Sequence, residues 1–134
     1  MKRHEYLIPF SRFHRSILFL ALIAKENAPK VKGYPEQIED KINYALDFYE
    51  NQLVNHFETE KREVFDVFRN KDSQVDQLLN EIELERKEIV NLFEKLMKVP
   101  DNHTLFFEIG ERLEKHVRKE ERELFQTIQE NLKL

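Results

Sequence analysis

Apolar residues recur along the chain at the three- and four-residue steps of an α-helix, in four runs separated by short polar breaks. Phe10, His14, Ile17, Ala21 and Ala24 share one face, opened by Pro9 where a first helical turn tolerates proline, and predict a helix to about Glu26. Residues 1–8 precede it as an arm. Asn27 to Pro35 contains Pro29, Gly33 and Pro35 and reads as a loop. A second, long helix runs from Pro35 to about Asn70, its face written by Ile38, Ile42, Ala45, Tyr49, Leu53, His56, Glu60, Val64 and Phe68. A break at Lys71-Asp-Ser73 holds a capping side chain. The third helix carries Leu78, Ile82, Glu85, Ile89, Leu92 and Leu96 in a narrow seam. Pro100-Asp-Asn breaks the chain again. The fourth helix carries Leu105, Ile109, Leu113, His116, Glu120, Leu124 and Ile128, with Gly110 placed for a close helix approach. Short second and third loops imply antiparallel neighbours. The pattern predicts an all-α, up-down-up-down antiparallel four-helix bundle forming a single domain over 1–134.

Within these apolar faces six positions are polar: His14, His56, Glu60, Glu85, His116 and Glu120. A buried carboxylate or imidazole without a partner costs several kcal/mol, so six together need a common reason. Two stretches repeat one arrangement. Val54 to Phe65 and Lys115 to Phe125 each contain a His, a Glu four residues on and a Phe nine residues after the His. At that spacing His56 stands over Glu60, and His116 over Glu120, on one helix face. Such pairs on facing helices can close on a metal ion. Equal rise per residue, counted from the two short turns, puts His56 level with about residue 86 and His116 level with about residue 85. Both lead to Glu85, with Glu81 one turn earlier in reserve. His4 lies in the arm, and His103 sits too far from His116 along its helix to join the cluster.

Composition narrows the chemistry. There is no cysteine, so any metal must be held by imidazole and carboxylate, which suit iron, manganese or zinc. Lys and Arg number 22 against 26 Asp and Glu, a net charge of 22 − 26 = −4, with no basic excess to bind nucleic acid. Only 2 Gly and 4 Pro leave few turns, against a sheet protein, while 11 Phe supply a core. No apolar run reaches the roughly 20 residues that span a bilayer, and no cleavable signal pattern follows the N-terminus, so a cytoplasmic protein without membrane partners is expected.

At these residues the chain resembles the hemerythrin-like (HHE cation-binding) family. Pro9-Phe-Ser-Arg-Phe-His14 looks like its first-helix segment ending in a ligand His. His56-Phe-Glu-Thr-Glu60 looks like its His-Phe-x-x-Glu motif, and Leu113 to Phe125 is similar to its last-helix motif. The resemblance implies a four-helix bundle holding two non-haem iron ions, with His14, His56 and His116 as terminal ligands and Glu60 and Glu120 as bridges. Manganese or zinc are alternatives. Some relatives place the last carboxylate five residues after the His, which would put Glu121 in the place of Glu120; Glu120 is preferred because 121 turns about 100° away from the seam. The third helix departs from the family: it lacks the usual ligand His. Either Glu85 substitutes, or one metal position is weak or empty.

Three functions follow. The first is a di-iron or other divalent-metal protein binding dioxygen, nitric oxide or iron for sensing, storage or stress protection. The second is a di-iron oxidoreductase acting on peroxide or NO; no feature marks a substrate pocket, so a metal-binding protein is preferred to an enzyme. The third is a metal-free helical interaction module. The oligomeric state is left open.

Overall fold

The computed structural model describes residues 2–134. Four long helices account for most of them: α1 (Ile8–Ile23), α2 (38–68), α3 (Ser73–Lys98) and α4 (103–131), and no strand occurs among the described residues. Helix α1 ends and α2 begins about three residues inside the ends that the periodicity suggests, so the first connection covers 24–37. It does not stand clear of the bundle. Tyr34 stacks on Phe19 of α1 with ring centroids 5.6 Å apart and meets Tyr44 of α2 edge-on at 5.5 Å.

The other ends are set by caps. Asp72 accepts a hydrogen bond from the Val75 amide at 3.0 Å, and Asn102 accepts one from the Leu105 amide at 3.1 Å. The arm is pinned to α4: the Gln129 amide donates to the Lys2 carbonyl at 2.9 Å and its oxygen accepts from the Arg3 guanidinium at 3.1 Å.

Two of the helices are not uniformly wound. α2 widens into π-helical turns at Tyr49–Leu53 and Lys61–Phe65, and α4 at Glu120–Leu124. The apolar pattern explains why. Positions 56, 60, 64 and 68, and again 116, 120, 124 and 128, follow one another by fours. In an α-helix each step of four overshoots a full turn by about 40°, so a face written in fours slides around the helix. A wider turn winds each residue through a smaller angle and keeps Glu60, Val64 and Phe68 pointing inward. All three are buried.

The core is split in two. One apolar cluster joins Ile17, Leu20, Ala21, Leu53, Phe93, Phe106 and Leu113, and a second joins Leu7, Val64, Phe65, Leu79, Leu124 and Phe125. Between them lies a layer of buried polar side chains from all four helices. Helix α1 packs closely on α4 at Gly110. A Cβ there would stand 2.7 Å from the Cβ of Ala24 and 3.5 Å from the Ala21 carbonyl oxygen, and neither can yield unless the helices separate. We expect Gly110→Ala to destabilise the domain by about 1 kcal/mol, since overpacking of ~1–3 kcal/mol outweighs the ~1 kcal/mol gain in helix propensity. Adding Ala24→Gly, at the C-cap of α1, should restore most of it. Urea melts of the single and double variants test this; an additive double variant would show that the two positions do not press on each other.

Candidate metal centre

The polar layer contains His14 from α1, His56 and Glu60 from α2, Arg86 from α3, and His116 and Glu120 from α4, all of them buried. Five of these six are seam positions expected from the sequence. Periodicity explains their convergence: each His and the Glu four residues on share a face, and the π-turn following each Glu keeps that face inward.

Four polar atoms in the layer are buried and make no hydrogen bond: His14 Nε2, His56 Nε2, Glu60 Oε2 and Glu120 Oε2. They point at one another. His14 Nε2 is 3.2 Å from Glu120 Oε2 and 3.7 Å from Glu60 Oε2, and His56 Nε2 is 3.3 Å from Glu60 Oε2. Ligand atoms bound at roughly 2.1 Å to a single ion stand roughly 3.0–3.4 Å apart, from octahedral to tetrahedral geometry. Two of these spacings lie in that range and the third is slightly wider. His14, His56 and Glu60 bring three donor atoms within 4.8 Å of one another, a set that could hold a hard or borderline divalent cation, and Glu120 Oε2 stands beside it at His14 Nε2.

The rings are held from behind. His14 Nδ1 lies 2.7 Å from Glu121 Oε1. Burial opposes ionisation of Glu121, but His14 and Arg3 keep its carboxyl below the ordinary carboxylate value. An ionised carboxylate only accepts, so Nδ1–H donates and the Nε2 lone pair is directed inward. Arg3 in turn donates to Glu121 Oε2 at 2.9 Å, which ties the arm to the layer. His116 Nδ1 donates in the same way to Glu85 Oε1 at 3.0 Å. His56 is fixed by packing, its ring stacked on Phe13 with centroids 4.1 Å apart.

Glu85, expected in the seam, therefore lies at its edge. It is partly exposed and bonded to His116 and to Lys119 Nζ at 3.5 Å. The seam of α3 runs through Ile82, Arg86, Ile89, Phe93 and Leu96 rather than through Glu85 and Leu92. Glu121, weighed as an alternative to Glu120, stands behind His14, whereas the Glu120 carboxylate faces inward and is 1 % exposed. His103 opens α4 at the surface.

Arg86 is the residue that sequence reasoning missed. Its guanidinium Nη2 donates to Glu60 Oε1, and to Glu120 Oε1 at 3.3 Å. Nη1 donates to the Phe57 carbonyl at 3.1 Å, and Nε faces His116 Nε2 at 3.5 Å. The Phe57 and Phe65 rings each lie 4.4 Å from its central carbon. Charge is distributed accordingly. Burial raises the Glu60 carboxyl, but Arg86, His14 and His56 outweigh it and hold it well below the usual range. Burial lowers His56 and His116, leaving them neutral imidazoles with lone pairs to offer. Burial also opposes the charge on His14, but Glu121 and Glu60 raise it overall.

Comparison with protein families matches residues 11–128 to the hemerythrin HHE cation-binding domain. The chain belongs to this family. The match runs from within α1 to within α4 and so takes in every residue of the polar layer. Comparison with curated proteins and with solved structures gave no match. The signal that could have exposed Arg86 in this hemerythrin-family chain was its position: it falls four residues after Ile82 and three before Ile89, on the seam itself. No helix among the described residues is long and apolar enough to cross a membrane.

Proposed function

We propose that the polar layer is a divalent-metal centre, that iron is its metal with manganese or zinc as alternatives, and that the domain uses it to meet a small ligand such as dioxygen or nitric oxide in sensing, storage or stress protection. The observation that carries this reading is the convergence of four buried donor atoms, from three helices, with no hydrogen-bond partner. Leaving such atoms unsatisfied costs on the order of 1–3 kcal/mol each. A cation held by His14, His56 and Glu60, with Glu120 drawn in beside His14, would remove that cost. His14, His56, Glu60 and Glu120 would hold it; Glu121 would orient His14, and Glu85 would orient His116. Bound there, the metal would supply Lewis acidity and redox capacity within an aromatic, water-poor layer. A surface cavity of about 330 Å³, lined by Phe10, Phe13, Asn55, His56 and Thr59 among others, reaches the outer side of His56 and would serve as the approach for a small ligand.

The test is thermal melting of chelator-stripped protein with and without Fe(II), Mn(II) or Zn(II). Binding at a hundredfold excess over Kd should stabilise by about 2.7 kcal/mol, raising Tm by about 10 °C for a domain of this size. Melting unaffected by every metal would instead support a metal-free helical module.

The ring support makes a further prediction. Glu121→Ala removes the acceptor for His14 Nδ1–H without touching an inward-facing atom. Loss of such an outer partner weakens metal affinity about 10–100-fold, so equilibrium titration with Mn(II) should show that shift. Unchanged affinity would separate Glu121 from the centre.

A further inference from the structure

We propose that the Arg86 guanidinium occupies the second cation position of this centre, so that the domain holds one divalent ion where its family resemblance implies two. The proposal rests on the metal-binding reading above and makes it specific.

Three observations carry it. The first is how each carboxylate divides its oxygens. A carboxylate bridging two cations gives one oxygen to each. Here Glu60 Oε1 and Glu120 Oε1 both go to Arg86 Nη2, while Glu60 Oε2 and Glu120 Oε2 are the oxygens without partners. The guanidinium thus receives from both carboxylates what a second metal would receive. The second observation is that the histidines divide in the same way. His14 and His56 direct unpartnered Nε2 atoms toward the free oxygens. His116 Nε2, by contrast, accepts from Arg86 Nε at 3.5 Å and stands farther, 3.7 Å, from Glu120 Oε2, so the shorter contact of its lone pair is on the guanidinium side. The third is that Arg86 is locked. It lies between the rings of Phe57 and Phe65 with Nη1 on the Phe57 carbonyl, and it is 7 % exposed. A planar guanidinium fits between two carboxylates and two ring faces in a way that a flexible ammonium does not.

Charge agrees. Metal ligation requires neutral imidazoles, His14 giving up any proton it carries in the metal-free layer. Two carboxylates and one guanidinium then give the layer a formal charge of −2 + 1 = −1. One divalent ion brings it to +1, with Glu85 and Glu121 standing just behind the histidines. Two would bring it to +3 in a buried layer, one of them against a fixed guanidinium, which low-dielectric surroundings strongly disfavour. The residues fit one ion and do not fit a second.

The experiment is anaerobic titration of metal-free protein with Mn(II), and separately with Fe(II), read by native mass spectrometry for stoichiometry and by electron paramagnetic resonance of the Mn(II) form for isolated or coupled ions. Wild type should take one ion with an isolated-ion spectrum. Arg86→His, which removes the guanidinium and offers an imidazole, should take up a second ion and give a coupled spectrum. His116→Ala in the otherwise wild-type chain should retain its single ion with affinity within about tenfold, because His116 faces Arg86. This last variant keeps the test decisive even if Arg86→His does not fold. A coupled pair in wild type overturns the proposal while leaving metal binding intact. A single ion in folded Arg86→His overturns the role given to Arg86, and so does a His116→Ala protein that no longer binds. No ion in wild type under either metal removes the metal-binding reading itself.

Discussion

Arg86→Met should lower the stability of the metal-free domain by about 3–5 kcal/mol, the usual cost of removing one partner from a buried ion pair. Methionine fills much of the same space between Phe57 and Phe65, so the loss reports charge rather than a cavity. Without the guanidinium, Glu60 and Glu120 each have an oxygen facing the other's charge inside the bundle, and Glu60 loses what holds its carboxyl so low. The pH dependence follows from that direction. A carboxyl with a depressed native pKa contributes stability above its unfolded value, near 4.5, and loses it as pH falls toward the depressed one. The gap between wild type and Arg86→Met should therefore be full at neutral pH and narrow below about 4.5. Chemical melts at pH 7 and pH 4 measure both; a gap that does not change with pH would mean that packing, not charge, carries the effect.

His56→Ala should weaken metal affinity by some two to three powers of ten. Apparent binding energies of ~10–16 kcal/mol, spread over four donors, give each roughly 2.5–4 kcal/mol, and 1.4 kcal/mol is about tenfold. His56 is chosen because its Nε2 makes no other bond and its ring is held only by packing, so nothing but the ion depends on that nitrogen. The control is His103→Ala, at the exposed start of α4, which should bind as wild type does. Competition titration with a chromophoric chelator separates the two. Affinity within tenfold of wild type for His56→Ala would place the ion elsewhere.

Much of the buried polar layer was legible in the residues. His56 and Glu60, His116 and Glu120, and His14 each sit where the apolar period demands a buried side chain, and all five are buried. Gly110 was legible as a close approach, and Ala24 is what it approaches. Level counting from the turns reached residues 85 and 86. Of the two, only Glu85 has the chemistry of a metal ligand, and Arg86 was given no role. A turn of about 100° per residue decides between them, and the helix faces Arg86 inward. A long charged side chain in a seam ordinarily reaches out to water, and only knowledge of two carboxylates opposite reverses that expectation. The steps of four in α2 and α4 were visible too, yet their consequence, the wide turns after Glu60 and at Glu120, depends on what those faces pack against.

From the sequence by itself come four helices, their breaks, the absence of thiolate chemistry and the inward imidazole and carboxylate pairs, because periodicity, proline and capping act over a few residues. Only the tertiary structure decided that Arg86 reaches Glu60 and Glu120, 26 and 34 residues away in the chain, and that Glu85 and Glu121 stand behind histidines. Those pairings depend on how each helix is rotated and how far it slides against its neighbours, quantities set by packing of the whole bundle and written in no local pattern.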